Sequence, residues 1–244
     1  MDSPRIKLLV SPRNIEEALE VINSNSADYL DCKNPAEGSL GANSPSMIRD
    51  MKEIIPKGNR IKLSATIGDF PNLPGSAALA ALGAAYSGAD IVKVGLMGPK
   101  NKEDSIALMS SVVKAVKDYD EDVMVVAAGY ADQERLESSP SPLDIPEIAA
   151  KSGCDVAMVD TAIKDGKSLF DFLDVVSLVE FKNKGKENNL LVALAGNLQL
   201  EDIEKIKEIK PDIIGVRSIV CTNGDRNNGI IKKELIQKLA KIID

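Results

Sequence analysis

The chain has 244 residues, 44% of them hydrophobic and 27% charged, and a formal net charge of −7. The charge argues against a general nucleic-acid binder with a basic face, and no apolar run reaches the ~18–20 residues that span a bilayer. Histidine and tryptophan are absent, which excludes Ser-His-Asp and Cys-His catalysis and His-ligated zinc and leaves acid–base work to Lys, Asp, Glu, Tyr or Cys.

Short apolar runs alternate with helical patterns throughout. The run 6–11 precedes a helix over 14–24, opened by Asn14 as N-cap. The run 28–33 precedes a helix over 44–54 with Pro45 in its first turn. Next come 61–66 and an alanine-rich helix over 76–87, then 90–95 and a helix over 103–117. The second half repeats the scheme: 123–128 with 143–152, 155–160 with 168–184, 190–195 with 199–209, and 212–217 with 232–243. Gly88, Gly153 and Gly185 are expected at helix ends, where a left-handed residue is often needed.

Near-continuous Val, Ile, Leu and Ala in the runs suits parallel strands covered on both faces. Eight strand–helix units at about 30 residues each fit a single-domain (β/α)8 TIM barrel over the whole chain. A doubly wound open sheet normally shows a glycine-rich loop after its first strand, and Ser11-Pro12-Arg13-Asn14 is not one. Cys32, Cys154 and Cys221 are scattered and form no C-x-x-C, and the first apolar stretch is too short for a signal peptide. Both suit a cytoplasmic protein.

Function in such a barrel sits at the carboxyl ends of the strands. In order these ends carry Ser11; Asp31 and Lys33; Thr66; Lys93; Ala128; Asp160 with Lys164 just after; Gly196 and Asn197; and Arg217. The opposite ends read as mostly ordinary. Alternation puts Asp31 and Lys33 on one face, and Lys93 between Val92 and Val94 faces the barrel if the valines face the helices. Lys33, Lys93, Asp160 and Arg217 fall on strands two, four, six and eight and are expected to converge, since alternate strands build each interior layer. Crowded, buried lysines lose basicity, while Asp31 and Asp160 limit the shift, so a Schiff-base site is expected, with one amine as carbonyl nucleophile and other polar groups moving protons. Gly196, Asn197, Arg217 and the stretch Gly224-Asp225-Arg226 suggest a phosphate subsite on the last loops. The loop 34–43 is long enough to close over the mouth. Cys32 and Cys154 are expected in the core.

The strings DCKNPAEGSLGAN, SATIGD, ALGAAYSGADIVKVGL, VVAAGYAD, GCDVAMVDTAIKDGKSLFDF, ALAGN, GVRSIVC and GDRNNG, in this order, resemble the (5-formylfuran-3-yl)methyl phosphate synthase family of methanofuran biosynthesis. The resemblance covers nearly the whole chain. It implies a lyase that condenses two glyceraldehyde 3-phosphate molecules without metal or cofactor. Two C3H7O6P units less phosphoric acid and two waters leave C6H7O6P, the product's formula. It also implies Lys33 as the Schiff-base lysine and Lys93 as proton acceptor, with Asp31, Asp160 and Lys164 as further site residues. Other Schiff-base aldolases of triose phosphate, and a non-catalytic phosphate-binding barrel, remain as alternatives. Barrels of this size often associate through their outer helices, so a homo-oligomer is expected, with no nucleic-acid or membrane partner.

Overall fold

The structure is a computed structural model that describes residues 5–243. Residues 1–4 and residue 244 lie outside them. Eight parallel strands close in sequence order: β1 (Lys7–Val10), β2 (Tyr29–Cys32), β3 (Lys62–Asp69), β4 (Ile91–Gly95), β5 (Met124–Tyr130), β6 (Val156–Asp160), β7 (Leu191–Leu194) and β8 (Ile213–Val216). β8 pairs back onto β1 from Lys7↔Ile213 to Val10↔Val216. The helices are α1 (Ile15–Asn23), α2 (Pro45–Glu53), α3 (Pro74–Tyr86), α4 (Lys102–Tyr119), α5 (Ile145–Ser152), α6 (Val175–Glu187), α7 (Ile203–Ile209) and α8 (Lys233–Ile243). None among the described residues is long and apolar enough to cross a membrane.

All eight expected runs are strands, and β3 and β5 continue to Asp69 and Tyr130. The helix expected over 168–184 is two pieces. A 3-10 turn at Leu169–Asp171, closed by Ser168 and Asp171, comes first, and Asp174 then caps α6 by accepting from Ser177 N. Short polar side chains that bond the backbone locally break a helix that periodicity alone would run through. The helix expected over 199–209 likewise opens as a 3-10 turn before α7. Gly185 lies inside α6, where a Cβ would run into Val192; it lets the helix sit close on β7. The chain reverses instead at Asn189, φ +58°.

Apolar side chains fill two regions. The larger lies between strands and helices, and a smaller one, including Leu9, Tyr29, Ile91, Val126, Val156 and Met158, lies inside the barrel.

The amino-terminal ends of the strands are not ordinary, contrary to the sequence reading. Asp28, Asp90, Asp155 and Asp212 each stand one residue before an even strand. Each carboxylate accepts the backbone N–H of the preceding odd strand, from Leu8, Leu63, Val125 and Val192, at 2.7–2.9 Å. Each also pairs with a cation: Arg5, Lys52, Lys117 and Lys186 respectively. Four identical staples therefore hold the bottom of the barrel in register. Asp155→Ala should cost about 1–3 kcal/mol in denaturant unfolding, because Val125 N loses its side-chain acceptor, while Asp155→Asn keeps an acceptor and should lose less. Equal stability of the alanine variant and the wild type would show the staple to be ornamental.

Candidate active site

Inward alternation places Asp31 and Lys33 of the β2 end, Lys93 of β4 and Asp160 of β6 around one pocket at the carboxyl end of the barrel. Ser11, Met158, Lys164, Gly196, Asn197 and Arg226 complete most of its wall. The convergence expected from alternate strands is real, but in two tiers. Lys93 lies deeper and is 1% exposed; its Nζ is 2.9 Å from Asp31 Oδ1. Asp31 Oδ2 accepts from Ser11 Oγ at 2.8 Å. Burial works against the Asp31 charge, yet Lys93 and Lys33 hold its carboxyl below the usual range.

One tier up, Asp160 Oδ1 accepts from Lys164 Nζ and from the backbone N–H of Thr161, both at 2.7 Å. Burial opposes this charge too, but Lys164 and Lys33 bring the carboxyl down to about 2. Lys164 is held further by Thr161 O at 2.6 Å. The turn after β6 that presents Lys164 is itself fixed by buried Asp132, whose carboxylate takes the N–H groups of Ala162 and Ile163.

Lys33 differs from its neighbours. No hydrogen bond or ion pair occupies its Nζ among the described residues, although the side chain is 9% exposed. Burial lowers its pKa to about 8; Lys93 and Lys164 add to that, against the pull of Asp160 and Asp31. An amine near pH 8 with free valence, facing a pocket between two carboxylates, is equipped to add to a carbonyl. Asp31 lies directly against Lys93, opposite the cations crowded around it. The ion pair joins Lys93 and Asp31 across the barrel interior.

The loop 34–43 packs onto the carboxyl end of the barrel. Leu40 is fully buried in the inner cluster, its carbonyl accepts from Thr66 Oγ1, and Ser39 Oγ donates to Thr161 O at 2.9 Å across the barrel. Gly41 packs against the Asn34 carbonyl where a Cβ has no room. Cys32 and Cys154 are buried as expected, and burial pushes the Cys32 thiol up to about 12.

The residues expected to hold phosphate divide. Gly196 (φ +113°) and Asn197 (φ +49°) make a turn after β7 whose N–H groups meet no acceptor among the described residues. The Arg226 side chain is also unpartnered there and faces both the pocket and an adjoining basin of about 490 Å3. Arg217 lines the same pocket, but it is not a free phosphate donor. Its fork is taken by Glu17 of α1, at 2.8 and 3.2 Å, and its remaining bonds go to Ser11 O and Arg226 O. It fastens the last loop to the first helix and offers no bidentate face to a ligand. Burial opposes the Glu17 charge, but the bonds from Arg217 and Arg13 N keep its carboxyl below its ordinary value. Asp225 is a correction as well: its carboxylate takes the N–H groups of Asn227 and Asn228 and shapes the loop, and as an anion it repels phosphate. Gly224, at φ +66°, is part of that turn.

Glu17, Asp132 and the Tyr130–Asp69 pair (2.7 Å) were not singled out from sequence. A carboxylate in the first turn of a helix reads as solvated, and only Arg217, 200 residues away, gives Glu17 its role.

The 4-HFC-P synthase family model matches residues 8–240. The (5-formylfuran-3-yl)methyl phosphate synthase of Archaeoglobus fulgidus is 54% identical over 238 residues, covering 98% of this chain and 99% of that one. The protein of the same name from Methanocaldococcus jannaschii is 53% identical, with 96% and 98% covered. Among solved structures, a 3-hexulose-6-phosphate synthase superposes with a TM-score of 0.67 at 16% identity, covering 98% of this chain and 100% of that one, a likeness of fold alone.

Proposed function

The chain belongs to the 4-HFC-P synthase family, and from that premise we propose that this enzyme condenses two glyceraldehyde 3-phosphate molecules to (5-formylfuran-3-yl)methyl phosphate through an imine on Lys33. The observation that carries the reading is the free Lys33 amine, brought to about 8 and set between Asp31 and Asp160. Lys33 Nζ adds to the carbonyl of one triose phosphate and expels water. The iminium draws electrons from the neighbouring C–H bond, and the proton passes to the Lys93–Asp31 pair. The enamine carbon then forms a bond to the aldehyde carbon of the second triose phosphate, and Lys164, bonded to Asp160, supplies a proton to the new alkoxide. Release from Lys33 takes up the water lost in forming the imine. Elimination of phosphate, ring closure and two dehydrations complete the balance from two C3H7O6P to C6H7O6P.

The N–H groups of Gly196 and Asn197 with Arg226 are proposed to hold a substrate phosphate, since oriented backbone donors and a free guanidinium are the groups that bind it. The product places the enzyme in methanofuran biosynthesis, a cytoplasmic pathway by this reading. Copies are expected to associate through outer helices, supported by Leu79 and Tyr86 standing exposed on α3.

The test is incubation with glyceraldehyde 3-phosphate and borohydride, with the adduct mapped by mass spectrometry and phosphate release followed alongside. A reduced adduct on Lys33 is expected, its formation rate rising with pH through about 8 as the amine loses its proton. Phosphate release without an adduct would end the imine mechanism. Binding with neither would favour the non-catalytic phosphate barrel.

A further inference from the structure

Beneath the catalytic tier the barrel contains a second, interior cavity of about 20 Å3. Lys93, Leu9, Met158 and Gly215 line both this cavity and the pocket above, so they form the partition between the two. The lining of the lower cavity is mostly apolar, from Ile91, Val126 and their neighbours, and the side chains on it that carry polar atoms are Lys93, Ser64 and Tyr29.

Ser64 sits on β3, opposite Asp31 on β2 and Ile91 on β4, with its side chain turned inward. It is completely buried, and its Oγ is the one fully buried side-chain polar atom among the described residues that bonds to nothing in the protein. A hydroxyl left so is costly, and native barrels satisfy such groups. The ammonium of Lys93 has three N–H bonds, and Asp31 is its one partner among the described residues. Ser64, with its unpartnered hydroxyl, and Lys93 thus line one space of the volume a single water requires.

We propose that this cavity is a one-water site in which the water bridges Ser64 Oγ and Lys93 Nζ, and that Ser64 is thereby a positioning residue for Lys93. The water accepts a hydrogen bond from Lys93 from below while Asp31 accepts from the side. The side chain is then held by two partners and cannot tip into the lower cavity when substrate enters above. The site itself needs no functional premise; its effect on turnover rests on the reaction proposed for the pocket.

Two measurements test it. A high-resolution crystal structure of the full chain should show one solvent peak within hydrogen-bond distance of both Ser64 Oγ and Lys93 Nζ. In Ser64→Ala and Ser64→Val, kcat should fall about fivefold, the worth of one hydrogen bond. KM should stay within about twofold, and the borohydride adduct should still form on Lys33. A cavity without that peak, or a peak that touches only one of the two groups, overturns the site. Unchanged kcat in Ser64→Ala, the variant that fits without repacking, overturns the positioning role. Wild-type protein that gives neither adduct nor product would count against the proposed reaction, and the solvent peak would still decide the site.

Discussion

Lys33→Met should lose the borohydride-trapped adduct and slow product formation by about 10³-fold or more, the scale seen when a covalent nucleophile is removed. The same variant should be more stable than the wild type. Lys33 is buried, and folding moves its pKa from the ordinary 10.5 to about 8, so at neutral pH the folded protein carries an ammonium that water would hold more cheaply. Each unit of such a shift corresponds to about 1.4 kcal/mol, which puts the gain on the order of 3 kcal/mol at pH 7. The sign follows from proton counts. Below pH 8 both folded and unfolded Lys33 are protonated and the penalty is constant. Between about 8 and 10.5 the unfolded chain binds the extra proton, so wild-type stability rises with pH. The advantage of the methionine variant should therefore be flat below pH 8 and close above it, read from urea unfolding at several pH values. A variant that is inactive and also less stable would show Lys33 to be part of the packing. An adduct that survives on Lys93 or Lys164 would move the nucleophile to that residue.

This opposition of activity and stability explains which parts of the molecule a sequence discloses. The strands were legible because eight Val/Ile/Leu/Ala runs repeat at even spacing, and a two-residue period then turned Lys93 inward without further information. A lysine between Val92 and Val94 breaks the local rule, and such breaks mark function. The free valence of Lys33 was not legible, because it depends on which partners other strands bring: Asp31 is taken by Lys93 and Ser11, and Asp160 by Lys164. Arg217 fails for the same reason. Its position at the end of β8 suggested phosphate, but its fork belongs to Glu17, whose helix follows the strand on the other side of the barrel seam. The Asp28, Asp90, Asp155 and Asp212 staples show a different kind of loss. All four aspartates open even-numbered runs in plain sight, yet a charge before a strand looks solvated until the backbone N–H beside it is seen. Ser64 was invisible for the simplest reason: a small hydroxyl in a strand carries no signal, and only the cavity shows it unpartnered.

Asp31→Asn separates the ion pair's structural role from its chemical one. Lys93 is 1% exposed and Asp31 fully buried. Neutralising the carboxylate strands a buried ammonium, and breaking such a pair from one side costs about 3–5 kcal/mol. The double variant Asp31→Asn/Lys93→Met should regain most of that loss, because no buried charge is then left alone. Activity should fall in both, since each destroys the unit proposed to take the substrate proton. The pH profile of adduct formation adds a sign that misfolding would not produce. Lys33 faces Asp31 on its own strand, Asp160 and Lys164 from β6 and the turn after it, and Lys93 from β4. Burial and the two lysines lower its pKa, while Asp160 and Asp31 raise it, and the pull of Asp31 exceeds the push of Lys93. Losing Asp31 alone, or Asp31 together with the Lys93 charge, therefore moves the acid limb below about 8 in either case. Trapping on Lys33 should reach half its limiting rate at lower pH while product formation falls. An acid limb that stays at 8, or climbs, would mean that Asp31 does not set the Lys33 amine. Full stability in the single variant would mean that Lys93 finds another partner when Asp31 is gone, and the pair would then not be the unit that moves the proton.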